Sequence, residues 1–202
     1  MKIFCIGRNY SEHAKELGNA VPENPVVFAK PDTALLKNGE DFYLPSFSND
    51  VHHEIELVIK IHKVGKNIQE KFAHNYYNEI GLGVDFTARD LQAELKSKGL
   101  PWELAKGFDG AAPLGNFMSI EGVDLSNIDF SLKKNGKLVQ QGNTAQMIFS
   151  FDKIVSFISQ YFTLKVGDLI YTGTPAGVGP VAIGDKLEGF IGSNQMLQFE
   201  VK

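Results

Sequence analysis

The sequence predicts a strand-rich α+β fold in a single domain covering residues 1–202. Three observations lead there. Strand-like runs are short and numerous, most are joined by Gly-, Pro- or Asn-bearing turns, and helix-period segments are few. Asn135-Gly136 lies between two alternating runs, the strongest two-residue hairpin signal. A chain of 202 residues, 43% of them hydrophobic, can bury roughly 70% of its unfolded surface, enough for one core.

Taken in order, "KIFCI" reads as an opening strand and "SEHAKELGN" as a short helix, with Ser11 as N-cap and Gly18 past its end. "NPVVFAKP" is a strand between prolines, and "YLPSFSND" is loop. "EIELVIKI" is a strand, "KNIQEKFAHNYYNEI" is helix-compatible, and "GLGVD" is a short strand ending in an acid. "FTARDLQAELKSKG" is the clearest helix, with Thr87 and Asp90 in capping-box spacing and Gly99 at its end. "IDFSLKKNGKLVQQG" is the hairpin, and "FDKIVSFISQYF" is an amphipathic helix. "GDLIYTG", "DKLEGFIG" and "QMLQFEV" are late strands.

A net charge of −4 argues against a nucleic-acid surface. The single cysteine, Cys5, excludes an internal disulfide framework and sits in an apolar run as a core residue. No stretch approaches the roughly 20 apolar residues of a membrane helix. "MKIFCIG" meets Arg8 too soon for a signal segment. A cytoplasmic protein that binds neither nucleic acid nor membrane is expected.

The chemistry concentrates in "VHHEIELVIK", residues 51–60. In one continuous strand His52, Glu54 and Glu56 share a face, and His53, Ile55, Leu57 and Ile59 share the other. Two carboxylates about 4 Å apart repel by roughly 4 kcal/mol at an effective dielectric of 20. Solvent exposure, a shared proton or a cation would each relieve this. A third acid, Asp85, closes another strand just before a helix. Three carboxylates without cysteine form an oxygen-only set suited to Mg²⁺ or Mn²⁺. By spacing alone, a solvated acidic pair and a cation site both account for the pattern.

Other groups are paired with plainer alternatives. His13 and Glu16 stand three apart on a short helix, as a general-base dyad or as a surface pair. Arg89 and Gln92 share a helix face near Asp85, able to bind carboxyl or keto oxygens or simply to be solvated. Lys106 and Lys30 lie in apolar segments, where a lysine needs an anionic partner. "GDLIYTGTPAGVGP" enters a Gly-rich turn whose amides, with Thr172 and Thr174, could bind an anion, although the lysine and spacing of a P-loop are missing.

Together and in this order, "GRNYSEHAKEL", "PVVFAKP", "HHEIELVIKI", "GVDFTARDLQ", "GLPWELAKGFDGAAPLG", "NGKLVQQGNTAQMIFS" and "GDLIYTGTPAGVGP" resemble the fumarylacetoacetate hydrolase family, in its short acylpyruvase and oxaloacetate decarboxylase branch. The resemblance implies a mixed β-sandwich roll, usually a homodimer. It implies Mg²⁺ or Mn²⁺ held by Glu54, Glu56 and Asp85, with Lys106 as the active-site lysine. It matches His13 and Glu16 to a dyad on a lid spanning about residues 9–20, and Gln92 to a substrate-oxygen contact. Lys30 and Thr174 fall on active-site positions; Arg8 and Arg89 fall in motif segments without an assigned role. The activity implied is metal-dependent hydrolysis of acylpyruvates to pyruvate and a carboxylic acid. Decarboxylation or tautomerisation of oxaloacetate, and isomerisation or hydration of 2-hydroxy-dienoates, are the alternatives. The chain starts almost at the first motif, so a mitochondrial form is not expected. His52 is expected beside the glutamates and His53 to be structural.

Overall fold

Alternating apolar residues and turn glycines produce fourteen short strands among the described residues of the computed structural model. It describes residues 1–16 and 21–202, without the side chains of residues 14–16. Gly18, the far part of the expected lid and the Glu16 side chain therefore lie outside the described residues.

The strands before the midpoint are β1 (Ile3–Gly7), β2 (Val26–Lys30), β3 (Leu35–Lys37), β4 (Val51–His53), β5 (Ile55–Ile61), β6 (Tyr77–Val84) and β7 (Thr87–Ala88). After them come β8 (Ala112–Ser119), β9 (Asp129–Lys134), β10 (Lys137–Asn143), β11 (Leu169–Tyr171), β12 (Gly179–Pro180), β13 (Lys186–Ile191) and β14 (Asn194–Glu200). The helices are α1 (Ser11–Glu16), α2 (Arg89–Ser97), α3 (Glu103–Lys106) and α4 (Phe151–Tyr161). Strand makes up 40% and helix 21%, the strand-rich α+β class expected, with curled sheets.

A seven-stranded mixed sheet runs β2-β1-β11-β5-β6-β8-β3, and a four-stranded sheet β10-β9-β13-β14 packs on its β5–β6–β8 region. A small third sheet, β12-β4-β7, sits beside the strands that lead to Glu54, Glu56 and Asp85. Ile55, Leu57 and Leu82 meet Leu132, Leu187 and Leu197 in one continuous core. The Asn135-Gly136 turn has φ of 53° and 76°, as a two-residue hairpin requires. Ser150 caps α4 by accepting from the Lys153 amide, as the amphipathic pattern of that helix suits.

Three local expectations are corrected. Residues 51–60 are not one strand: the chain leaves the small sheet at Glu54 and enters the large one at Ile55. β5 is buried on both faces from Ile55 to Ile59 and again at Ile61, so burial there does not alternate. The helix-compatible stretch forms only a 3₁₀ segment, Glu70–Tyr76, because residues from Tyr77 onward pair with β5. The capping box fails too. Ala88 occupies the cap without a side-chain bond, Thr87 Oγ1 donates to the Asp85 carbonyl, and the Asp90 carboxylate accepts from Ser48 Oγ and the Asn49 amide instead.

The two sheets approach closely at Gly115 of β8, where a Cβ would lie 2.2 Å from the Met196 carbonyl oxygen of β14. Gly115→Ala is expected to cost about 3 kcal/mol through overpacking. That lowers the melting temperature by roughly 6–12 °C. A calorimetric scan matching wild type would show that β14 shifts freely.

Candidate active site

The β5–β6 ladder sets the spacing of the three acids. Glu56 pairs across from Gly83, and the Asp85 amide donates to the Glu54 carbonyl at 2.8 Å. Gly83 carries no side chain because the Tyr171 ring fills that space. Glu54, Glu56 and Asp85 are buried, and each offers an oxygen within 4.8 Å of the others. The solvated acidic pair is thereby excluded.

Cations surround two of the acids. Lys106 Nζ, carried by α3, donates to Glu54 Oε2 at 2.8 Å and to Asp85 Oδ2 at 2.7 Å. Arg89 at the start of α2 donates to the other oxygen of Glu54. Lys30 Nζ faces Asp85 Oδ1 at 2.7 Å. Glu56 receives instead the Gly173 amide at 2.7 Å. The Gly-rich turn does bind an anion, and that anion is the protein's own carboxylate.

This division sets the electrostatics. Burial alone would raise Glu54, but Lys106, Arg89 and His13 hold its carboxyl far below the ordinary range. Burial and then the neighbouring Asp85 push Glu56 well up, against the pull of the Gly173 amide. Burial would lower Lys106, yet Asp85 and Glu54 raise it, so its ammonium stays charged. The donor set fits a hard divalent cation. Such an ion would give Glu56 the positive partner that Lys106 and Arg89 give Glu54, and would favour the ionised carboxylate that burial and Asp85 disfavour.

A cleft opens over the cluster. His13, Gln92, Lys106 and Thr174 line it. Arg89 Nη1 donates to Gln92 Oε1 at 2.7 Å, so the amide nitrogen of Gln92 is the end that Arg89 does not hold. Thr174 Oγ1 donates to the Ile55 carbonyl at 2.8 Å. Lys30 is placed differently. Its ammonium lies beneath Asp85, donating to the carbonyls of Phe86, Ala111 and Lys106, and does not line the cleft. Its three protons are shared among those carbonyls and Asp85 Oδ1, which places it in support of Asp85.

His52 does not join the glutamates: its Nε2 meets Asp50 Oδ1 at 2.8 Å. His53 is structural, with Nδ1 2.8 Å from Gln140 Oε1. Gln140 escaped sequence reasoning altogether. Its Oε1 also accepts the Ile55 amide and its Nε2 donates to Thr174 Oγ1, so one buried amide holds both flanks of Glu54 and the Gly-rich turn. Nothing in "KLVQQGN" distinguishes it from its neighbour Gln141, because the bonds reach it from 85 residues away.

The family model for the fumarylacetoacetate (FAA) hydrolase C-terminal domain matches residues 2–201. The mitochondrial oxaloacetate tautomerase FAHD1 of Arabidopsis thaliana is 44% identical over 202 residues, covering 100% of this chain and 91% of that protein. The mitochondrial oxaloacetate decarboxylase of Dictyostelium discoideum is 42% identical over 203 residues, covering 99% and 93%. Among solved structures, the fumarylpyruvate hydrolase of Pseudomonas aeruginosa in complex with Mn²⁺ and pyruvate superposes with a TM-score of 0.94 at 36% identity, covering 100% of this chain and 89% of that one.

Proposed function

This chain belongs to the fumarylacetoacetate hydrolase family, and from that premise we propose that it is a divalent-metal enzyme of small 2-oxo acids, interconverting the keto and enol forms of oxaloacetate or decarboxylating it. The observation that carries this is the charged Lys106 ammonium, fixed between Glu54 and Asp85 at the floor of the cleft. Relatives named for oxaloacetate chemistry, at 42–44% identity over nearly the whole chain, favour it over the hydrolysis that the sequence motifs put first.

Glu54, Glu56 and Asp85 would hold a divalent cation, which would supply Lewis acidity toward the oxygens of a 2-oxo acid. Gln92 offers its amide N–H groups to a substrate oxygen, and Arg89 keeps that amide turned. Lys106 cannot act as a base, since its neighbours keep it protonated; it stabilises negative charge as it develops on the keto oxygen. His13, at the cleft, takes the C3 proton of the keto form. The C3–H electron pair becomes the enolate double bond, and the proton returns to oxygen to give the enol. Hydrolysis is the second reading, favoured by the likeness to the Pseudomonas aeruginosa fumarylpyruvate hydrolase. There His13 would deprotonate water.

The test is a panel run with Mg²⁺, Mn²⁺ and a chelator: enol-to-keto conversion and carbon dioxide release from oxaloacetate, and pyruvate release from acetylpyruvate. Metal-dependent tautomerisation or decarboxylation is expected, and His13→Ala should slow proton transfer about 10²–10⁴-fold. Faster pyruvate release from acetylpyruvate would install the hydrolase in its place. No metal-dependent turnover of either substrate would end both.

A further inference from the structure

The cleft has two ends of opposite character. The floor carries the three acids and their cations. The rim carries Arg8 and Lys96, which also line the cleft and have no assigned part in the chemistry. An aromatic wall joins the two. Lys106 lies 5.3 Å from the Phe28 ring centroid, Phe28 meets Trp102 edge-on at 5.9 Å, and Lys96 lies 5.2 Å from the Trp102 centroid.

Arg8 reaches the rim through an uncommon backbone. Its φ is +62°, a left-handed conformation that costs a non-glycine residue on the order of 1 kcal/mol. The next residue, the fully buried Asn9, holds the chain there. It donates to the Phe149 and Thr172 carbonyls and accepts from the Phe149 amide. Gly7, just before, packs beside the Trp102 ring.

Lys96 forms no ion pair with a carboxylate among the described residues. Partial burial, then Arg8, Arg89 and Lys106, lower its affinity for a proton below the ordinary lysine range. The rim therefore holds positive charge that Glu54 offsets only weakly, whereas Lys106 at the floor is matched by two carboxylates. Clustered cations half-screened from water favour an arriving anion.

Resting on the 2-oxo-acid reading of the floor, we infer that Arg8 and Lys96 are specificity-determining residues that hold the second carboxylate of a 2-oxo dicarboxylic acid. The head of such an acid occupies the floor, its short carbon chain runs along Phe28 and Trp102, and its distal carboxylate meets the rim.

Calorimetric binding to the full chain with Mn²⁺ tests this. Pyruvate presents the head alone; difluoro-oxaloacetate adds the distal carboxylate and has no C3 proton to lose. Wild type is expected to bind the dicarboxylate at least tenfold more tightly. Lys96→Met should lower that ratio about tenfold, the size of one charge-assisted contact, and Lys96→Glu should lower it further. Lys96 is partly exposed on α2 and forms no ion pair among the described residues, so melting curves of both variants should match wild type. Equal binding of the two acids by wild type, or a ratio unchanged in both variants, overturns that role of Arg8 and Lys96 while leaving the floor's assignment intact. Binding of neither acid overturns both.

Discussion

Lys106→Met is expected to lower the melting temperature of the metal-free protein by roughly 6–20 °C, the consequence of losing about 3–5 kcal/mol. The ammonium touches Glu54 and Asp85 inside a site where both carboxylates are buried. Methionine has similar length but no charge, so two anions remain in a poorly solvating interior. Turnover should fall at least about 100-fold, because the charge facing the developing enolate is gone. Saturating Mn²⁺ should recover part of the lost stability by supplying positive charge to the same oxygens. Scanning calorimetry with and without chelator checks this. A metal-free variant melting with wild type would mean that water, and not Lys106, solvates Glu54 and Asp85.

Glu56→Gln should act in the opposite direction. Glu56 carries a carboxyl raised first by burial and then by Asp85, and the folded protein holds that proton more tightly than the unfolded chain. Its stabilising contribution is complete below the ordinary value of 4.5 and is lost as pH rises through the raised value. Glutamine has no such dependence and can still accept from the Gly173 amide. The metal-free variant should therefore be more stable than wild type by about 1–3 kcal/mol at pH 8, with the advantage vanishing near pH 4. Wild type should gain about 2.7 kcal/mol from Mn²⁺ at a hundred times its dissociation constant, and the variant almost nothing at that concentration. Paired melts at pH 5 and pH 8, with and without Mn²⁺, decide it. A variant destabilised at pH 8 in chelator would show that Glu56 is ionised and fully compensated without a cation.

These expected effects rest on features of unequal visibility. Local signals were legible wherever a residue's environment comes from its near neighbours. The Asn135-Gly136 turn, the amphipathic α4 and the core position of Cys5 could be read directly. The Glu54/Glu56 spacing and the acid after "GLGV" were readable because β5 and β6 are adjacent antiparallel strands. The buried lysines announced themselves through their apolar surroundings, and Lys106 found its anions.

The strand break at Glu54 was not legible. A continuous alternating run looks the same whether it lies in one sheet or passes between two, and the switch is made by pairing with residues distant in sequence. Lys30 was correctly expected to need an anion, but its distance from the cleft depends on three carbonyls supplied by other segments. Gln140, Asn9 and the joining of Arg8 with Lys96 at one rim had no local pattern at all.

The sequence by itself determined the class of the fold, the family and an oxygen-rich acidic triad, because composition, turn chemistry and short spacings act over a few residues. Only the tertiary structure decided which carboxylate each cation meets, that Glu56 alone relies on a backbone amide, and where positive charge remains without a matching anion. Charges in a buried site respond to every group within several ångströms, and those groups come from strands and helices scattered across the whole chain.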